Sequence, residues 1–277
     1  MQTTFLPHKF DDPTLISFSG GRTSGFMLYK ILEAYDFALP DYVHVVFANT
    51  GKEMPETLDF VHKCSVEWNC KINWLELEIA EERPIYRTKE VSYETASRQG
   101  EPFAALIDRK NMLPNPFQRF CTQEMKVNVM KRFMVQKGYK EWNNVIGLRY
   151  DEPRRVAKQK GANESGKNKW ESLMPLYDAR LTLQDVSKFW KDADFDLSLP
   201  SFDGKTLAGN CDMCFLKGKR TLIALAKERP DLADWWIEQE QKVFTSRTTG
   251  ESSTATFRKN MEFIECVNIA TKENSQP

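Results

Sequence analysis

Apolar runs of strand length alternate in the first part of the chain with segments whose apolar positions have helical spacing. Residues 14–18, 42–48 and 72–79 are rich in β-branched and aromatic residues, as in buried strands. Residues 24–34 and 55–66 carry apolar side chains three and four positions apart, which is typical of helices that bury one face. Two strand–helix–strand units in succession predict a parallel sheet with right-handed crossovers, and hence an α/β fold.

The segment 82–120 interrupts this rhythm with four prolines and Gly100. A connection of this length is usually functional or mobile. We predict that it becomes ordered only with ligand, together with a polar loop at 159–169. The remaining pattern predicts strands at 145–148 and 173–176 and helices at 122–136, 182–190, 221–229, 231–243 and 254–267.

Composition indicates the compartment of the protein but does not indicate its activity. The 39 basic residues balance the 39 acidic ones, so net charge neither favours nor excludes a polyanionic partner. No apolar run reaches the length of about 18 residues that a membrane span needs, and the N-terminus has no apolar core of signal-peptide length. We therefore predict a cytosolic protein whose six cysteines are thiols or ligands rather than disulfides.

A glycine-rich turn lies between the first predicted strand and the first predicted helix. Glycines allow a close approach of the backbone to a phosphate, and the helix N-terminus adds about half a positive charge. Hydroxyls and a guanidinium would add donors. The alternative is a plain strand-to-helix turn capped by Ser or Thr; a Walker loop is excluded because its Gly-Lys-Ser/Thr ending is absent. The nucleotide-binding candidates here are Ser19, Gly20, Gly21, Arg22, Thr23 and Ser24.

Two further polar segments each follow a predicted strand, at the sheet edge where open α/β sheets bind ligands. After the second strand, Asn49, Thr50 and Glu53 are candidates to contact adenine, ribose or a metal, the alternative being a turn and helix cap. Residues 147–155 contain three arginines that can clamp phosphate or sulfate, the alternative being a solvated charge run. The candidates in this second segment are Gly147, Arg149, Glu152 and Arg155.

The cysteines divide into two groups by their surroundings. Cys211 and Cys214 form a CxxC sequence, and with Cys121 they provide three thiolates that suit an iron–sulfur cluster or zinc. Free thiols or a redox CxxC is the alternative. Lys126 follows Cys121 by about one helical turn, so both are expected to face one pocket. The apolar contexts of Cys64, Cys70 and Cys266 predict buried structural thiols.

Four ordered segments carry a resemblance to a known family. Residues 17–24 (SFSGGRTS) resemble the PP-loop, Ser-Gly-Gly-x-Asp-Ser, of ATP pyrophosphatases and sulfonucleotide (PAPS/APS) reductases, with Thr23 in place of Asp. Residues 49–57 resemble the family's Asn-Thr-Gly-x-Glu-x-Pro-Glu-Thr segment, and 119–126 and 147–155 resemble its Arg-x-Cys-Cys/Thr…Lys and Gly-x-Arg-x-x-Glu…Arg segments. The match covers about residues 14–190 and is most similar to short members found in phages and prophages.

The resemblance implies a fold, a division of the chain and an activity. The fold is a Rossmann-like parallel sheet of the adenine nucleotide alpha hydrolase-like type. A nucleotide-binding domain would span residues 1–200 and a CxxC-containing helical region 201–277. The enzyme would bind ATP, or PAPS/APS, and act in sulfur transfer or α-phosphate chemistry. The catalytic candidates are Cys121, Lys126 and Arg149.

The same resemblance extends to cofactors and partners. APS-type reductases hold a [4Fe-4S] cluster on a Cys-Cys pair and a later CxxC, whereas here Thr122 follows Cys121, leaving three ligands. A three-cysteine cluster or zinc is implied, with Mg²⁺ accompanying ATP. Expected partners are a nucleic-acid substrate (DNA or tRNA), a sulfur donor or thiol-reductant protein, and a second copy in a homodimer. The alternatives are an authentic sulfonucleotide reductase releasing sulfite and a non-catalytic nucleotide or nucleic-acid binding module with a structural zinc.

Overall fold

A six-stranded sheet forms the centre of the computed structural model, which describes residues 10–202, 205–246 and 248–274. The strand order is β4-β3-β2-β1-β5-β6, and every pairing is parallel except that of β3 with β4. This arrangement confirms the α/β, Rossmann-like prediction. The sheet strands are β1 (Thr14–Ser17), β2 (Val43–Ala48), β3 (Ile72–Ile79), β4 (Tyr86–Val91), β5 (Trp142–Val145) and β6 (Trp170–Leu173).

Helices flank the sheet and follow it in the chain. In sequence order they are α1 (Arg22–Ala34), α2 (Pro55–Glu67), α3 (Glu101–Lys110), α4 (Phe120–Thr122), α5 (Asn128–Gln136), α6 (Pro153–Glu164), α7 (Pro175–Asp178), α8 (Leu183–Asp192), α9 (Lys219–Glu228), α10 (Asp234–Gln241) and α11 (Phe263–Asn274). A π-helical turn (Gln123–Val127) joins α4 to α5, and a 3₁₀ turn (Pro230–Ala233) precedes α10. Two short hairpins complete the described elements, β7 (Ser201–Phe202) with β8 (Lys205–Thr206) and β9 (Val243–Thr245) with β10 (Ser252–Thr254).

The long connection 82–120 is more regular than its composition predicts. It contains β4, which adds an antiparallel edge to the sheet, and α3. The sequence hides β4 because an edge strand carries charged residues on its exposed positions and so lacks an apolar run. That prediction of an irregular segment is therefore wrong; the prediction that ligand orders it stays a prediction.

Three further predictions are wrong in extent. The polar stretch 159–169 begins inside α6, which extends to Glu164 and whose one buried residue, Val156, leaves no apolar periodicity to detect. The strands predicted at 145–148 and 173–176 lie three residues earlier, as β5 and β6. The chain leaves the sheet after Val145 and again after Leu173. The helix predicted at 254–267 is instead β10, a loop and α11. The other predicted strands and helices are confirmed within a few residues.

Apolar side chains from both faces of the sheet form one large core. Ile16, Val46 and Leu75 are fully buried on the three central strands, and Trp236 of α10 is fully buried among Phe215, Phe257 and Phe263. The described residues after 200 therefore contribute a cluster of aromatic side chains that is continuous with the main core. The division of the chain at residue 200 stays a prediction. Throughout the described ranges, every helix is too short or too polar to cross a bilayer.

Two core thiols give the stability a predicted pH dependence. Cys64 and Cys70 are free and buried, as the sequence indicates, and burial raises the pKa of Cys70 to about 12. An unfolded thiol has a pKa of about 8.5, so above that pH the unfolded chain loses a proton that folded Cys70 keeps. The stabilising contribution is complete below about pH 8.5 and falls by about 1.4 kcal/mol per pH unit above it.

Replacing Cys70 with alanine is accordingly expected to flatten the alkaline loss of stability. The slope of unfolding free energy against pH should become shallower by about 1.4 kcal/mol per unit between about pH 9 and 10. Urea unfolding of both proteins across that range measures the two slopes, and equal slopes would contradict the assignment.

Candidate nucleotide and thiol site

The loop between β1 and α1 has the conformation that an anion site requires. Gly20 has a φ of +72°, in the left-handed region, and Gly21 occupies the N-cap position of α1. A Cβ atom on Gly20 would lie 2.7 Å from Thr57 Cγ2 at the start of α2, so the loop packs directly on that helix. Both facts explain why the position is a glycine.

The first turn of α1 has no side-chain cap. Gly21 supplies none, and the nearby hydroxyls bond within the loop: Ser24 Oγ donates to Gly21 O at 2.9 Å and lies 2.9 Å from Ser19 Oγ. The alternative of a turn capped by Ser or Thr is therefore not what the structure shows. The backbone N–H groups at this helix start keep the partial positive charge that attracts an anion.

Residues 147–155 meet this loop, as the sequence predicts for two neighbouring strand ends. A Cβ on Gly147 would lie 3.4 Å from Ser24 Cα, and Arg149 Nη1 donates to Thr23 Oγ1 at 3.0 Å. Asp151 accepts from Arg149 Nε at 2.9 Å and so orients the guanidinium. Burial acts to raise the pKa of Asp151, but the hydrogen bond and charge of Arg149 lower it overall.

Glu152 holds the rest of this segment in place. Its carboxylate accepts from the Arg149 amide at 3.1 Å and from the Arg155 guanidinium, while the Arg155 side chain is 68% exposed. Glu152 thus orients arginines, in agreement with its predicted role. Arg155 lies at the surface beside the loop rather than inside it.

Arg22 does not serve the loop as the sequence suggests. Its guanidinium donates to Asp196 through Nε at 2.7 Å and through Nη2 at 2.8 Å, to Thr206 Oγ1 at 3.1 Å, and to the carbonyl oxygens of Leu197 and Leu199. Every nitrogen of the guanidinium is engaged in these contacts. The prediction of a free cation for phosphate is therefore corrected: Arg22 anchors the segment that leads to the C-terminal region.

The turn after β2 is buried, which changes the roles expected of its residues. Asn49 Nδ2 donates to Glu76 Oε1 at 2.7 Å and to Ser97 O at 2.8 Å. Both the Thr50 amide and its hydroxyl donate to Glu53 Oε2 at 2.8 Å. With exposures of 0% and 2%, Asn49 and Thr50 bind their own fold, and neither reaches out toward an adenine or ribose.

The CxxC sequence docks onto this same turn. Cys211 pairs with Glu53 through an isolated antiparallel β-bridge, and its Sγ lies 3.5 Å from Thr50 Oγ1. Lys126 Nζ lies 3.5 Å from Glu53 Oε1. The structure therefore brings Glu53, Lys126 and Cys211 together, although they come from three distant parts of the sequence.

Cys121 and Cys214 complete a group of three thiols around Lys126. A π-helical turn, which is closed by hydrogen bonds between residues five apart, follows at Gln123–Val127, and Cys121 and Lys126 are themselves five residues apart. Burial raises the pKa of Cys121, and the nearby Cys214 raises it further, while Lys126 opposes both. The prediction that Cys121 and Lys126 face one pocket agrees with this proximity.

Burial and neighbouring charges shift the pKa values of Cys211, Lys126 and Lys217 in different directions. Burial raises the pKa of Cys211, and Glu53 adds to the effect. Burial would lower the pKa of Lys126, but Glu53 and the two CxxC thiols more than offset it, so the pKa is raised and Lys126 stays a cation. Lys217, whose pKa burial lowers, donates to Gly209 O at 2.6 Å and to Cys211 O at 2.9 Å.

The three thiols do not form a ligand group for a metal ion. Within residues 10–202, 205–246 and 248–274, no three His, Cys, Asp or Glu side chains converge closely enough to hold one. The charge of Cys214 raises the pKa values of both Cys121 and Cys211, so Cys214 lies near both thiols. The predicted [4Fe-4S] cluster and zinc therefore stay predictions.

A buried ion pair escaped the sequence analysis altogether. Lys52 Nζ lies 2.9 Å from Asp212 Oδ2, and both side chains are at most 8% exposed. Trp236 Nε1 and the Met213 amide donate to Asp212 Oδ1, and the Asp212 amide donates to Lys52 O at 2.7 Å. The sequence does show a lysine within the segment after β2 and an aspartate within CxxC, but no local pattern indicates that the two side chains form a pair.

Comparisons with known proteins show what the chain is similar to. The sequence model of the phosphoadenosine phosphosulfate reductase domain matches residues 13–198. The uncharacterized nin region protein ORF290 of Escherichia phage lambda is 28% identical over 243 residues, covering 85% of this chain and 74% of that protein. The solved U34-tRNA thiolase NcsA from Methanococcus maripaludis, with its [4Fe-4S] cluster, aligns at a TM-score of 0.42 and 13% identity, over 95% of this chain and 73% of that one. A likeness at that level says nothing about the site.

Proposed function

Because the chain belongs to the phosphoadenosine phosphosulfate reductase domain family, we propose that it binds an adenine nucleotide at the loop between β1 and α1 and uses it in sulfur transfer. The observation that supports this most is the uncapped start of α1 beside Gly20 and Gly21. An anion held there would receive backbone N–H groups and the helix dipole. Arg149, fixed by Asp151 at the same loop, would add a cation.

In the form we favour, the nucleotide is ATP, accompanied by Mg²⁺. An oxygen of the acceptor attacks the α-phosphorus, the bond to the bridging oxygen breaks, and pyrophosphate leaves with the electron pair. The acceptor carbon, now bearing an adenylate, is attacked by a sulfur nucleophile from a donor, and AMP leaves. The loop amides and Arg149 would stabilise the negative charge that develops on the phosphoryl oxygens.

The thiol group would relay the sulfur. Cys121 would take the outer sulfur of a donor persulfide, whose thiolate leaves, and the resulting persulfide would attack the adenylated carbon. Cys214 would then free the sulfur on the acceptor by closing a Cys121–Cys214 disulfide, which a thiol-reductant partner reduces. Cys121 and Cys214 are partly accessible, whereas Cys211 is buried against Thr50 and Glu53. Lys126, a cation within this group, opposes part of the rise that burial causes in the pKa values of Cys121 and Cys211. A sulfur-donor or thiol-reductant partner and a homodimer stay predictions. An iron–sulfur cluster also stays a prediction, and measuring the iron and zinc content of anaerobically purified protein would test it.

One observation weighs against the alternative of a sulfonucleotide reductase that releases sulfite. Sulfonucleotide reductases carry the attacking thiol on a mobile Glu-Cys-Gly-Leu-His tail, of which this chain has only Glu265-Cys266, followed by Val267. Here Cys266 is fully buried within α11, and burial raises the pKa of its thiol. In this arrangement Cys266 is not available as a nucleophile, so we place the ATP form first.

Product release separates the two forms. We expect pyrophosphate from ATP and no sulfite from PAPS, and replacing Arg149 with alanine should slow release by about 100-fold. Arg220→Ala on the exposed face of α9 is the matched control and should retain full activity. Sulfite release in place of pyrophosphate would support the reductase. If neither nucleotide binds in calorimetric titration and neither product appears, the proposal fails.

A further inference from the structure

Helix α6 and the turn after it concentrate positive charge. Residues 153–169 contain six basic residues and one acidic residue, although the whole chain carries 39 of each sign. The basic residues are Arg154, Arg155, Lys158, Lys160, Lys167 and Lys169. All six are exposed, and in the described part of the chain Arg155 alone among them has a carboxylate partner, Glu152. This surface is therefore a strong local cationic field on a neutral protein.

On α6, Arg154, Arg155 and Lys158 lie on the side that points away from the sheet, whereas Lys160, four residues after the buried Val156, lies at the flank beside Tyr177. Val156 and the hydrogen bonds of Asn163 with Ser172 fix the inner face against β6. Arg154 and Lys158, four residues apart, share the outer face. Next to them on the same face are two small, exposed residues, Ala157 and Gly161. No atom lies within 4 Å of a Cβ added at Gly161. An extended polyanion can approach this face closely.

Two tyrosines border the basic face. The rings of Tyr150 and Tyr177 lie 5.5 Å apart, and Lys160 Nζ lies 4.9 Å from the centre of the Tyr177 ring. Tyr150 is 46% exposed, so part of its ring faces solvent. Aromatic faces beside a cationic groove are what single-stranded nucleic acid uses for stacking and phosphate contact.

We propose that the outer face of α6, together with Tyr150, is a docking surface for a single strand of nucleic acid. One phosphate would lie at Arg154 and Lys158, a second would lie at Lys160 on the flank beside the tyrosines, and a base would stack on Tyr150. A membrane surface is disfavoured because the outer face carries no large apolar side chain. A purely acidic protein would leave the tyrosine ring without a role.

The position of this surface suggests what the strand is for. Glu152, the N-cap residue of α6, also accepts from the amide of Arg149, which contacts Thr23 in the nucleotide loop. A strand on α6 would therefore pass beside the bound nucleotide and could present the acceptor oxygen. This step rests on the proposed function, whereas the binding of the strand does not.

Fluorescence anisotropy with labelled short single-stranded RNA and DNA, without nucleotide, tests the docking surface. We expect the double variant Lys158→Gln with Lys160→Gln to bind about tenfold more weakly at ~0.1 M salt. The slope of log affinity against log salt should fall by about one for each lysine. Tyr150→Leu should weaken oligonucleotide binding about fivefold or more while leaving binding of inorganic polyphosphate unchanged.

The matched control is Lys191→Gln with Lys227→Gln, which removes two exposed helical lysines from α8 and α9. It should bind as the original protein does, and the α6 variant should keep its ATP affinity in a separate titration. Equal weakening by both pairs, no binding of either oligonucleotide, or equal binding of polyphosphate and oligonucleotide would overturn the proposal. Loss of ATP binding alone would count against the proposed function and leave the docking surface standing.

Discussion

Replacing Lys52 with methionine is expected to lower the free energy of unfolding by about 3–5 kcal/mol. The ammonium lies 2.9 Å from Asp212 with both side chains buried, and it also lies 5.2 Å from the centre of the Trp235 ring. Its removal leaves the Asp212 carboxyl buried with only the Trp236 and Met213 donors. Burial already raises the pKa of Asp212 against the charge of Lys52, so the unpaired carboxyl should become protonated. Urea unfolding measures the loss.

The controls separate the buried pair from a general effect of removing a lysine. Lys30→Met breaks an exposed pair with Glu33 at 2.7 Å and should cost less than about 1 kcal/mol. Adding Asp212→Asn to Lys52→Met should recover most of the loss, because no charge then remains buried without a partner and the amide oxygen still accepts from Trp236 Nε1. A Lys52 variant as stable as the Lys30 variant would contradict the assignment.

The same variant should disturb the thiol group. The Lys52–Asp212 pair and the Glu53–Cys211 bridge attach the CxxC sequence to the turn after β2. Without the pair, we expect Cys211 to become accessible to a thiol reagent under conditions that still preserve most of the secondary structure. Mass spectrometry after brief alkylation would locate the change.

Gly20→Ala is expected to destabilise the protein by roughly 2–5 kcal/mol and to abolish nucleotide binding. A φ of +72° is unfavourable for alanine, and its Cβ would lie 2.7 Å from Thr57 Cγ2 and 3.1 Å from Val61 Cγ2. The loop or the start of α2 must then move. Chemical unfolding and ATP titration measure the two effects.

Gly21→Ala is the matched variant one residue away. Its φ of −106° suits alanine, and the nearest atom to the added Cβ is Ser19 Oγ at 3.7 Å. Stability should change by no more than about 0.5 kcal/mol, while a methyl group at the anion site should weaken ATP binding about tenfold. Unchanged ATP affinity in this variant would mean that the phosphates do not lie against the loop.

Much of the fold follows from local pattern. β1, β2 and β3 pair in parallel and most of their residues are buried, so they appear as apolar runs, and the amphipathic helices between them show their spacing plainly. The edge strand β4 and the solvent-exposed helix α6 were missed because each has too few buried positions to leave a pattern.

The candidate site divides in the same way. The glycine loop and the segment at 147–155 were predicted to share one sheet edge, and Arg149 does contact Thr23. Arg22, Asn49 and Thr50 were expected to contact ligand, but their side chains bond within the protein. The type of a residue and its position in the sequence indicate where polar groups lie, but they do not indicate which hydrogen-bond partner each group has in the folded protein.

The sequence by itself determined the parallel α/β architecture, the position of the glycine loop and the grouping of polar segments at strand ends. These depend on periodicity and on turn chemistry, which are local. Only the tertiary structure decided that CxxC lies against the turn after β2, that Lys52 pairs with Asp212 and that Arg22 anchors a distant segment. Such contacts join residues far apart in the chain, and their energies depend on burial and distance, which no local pattern encodes.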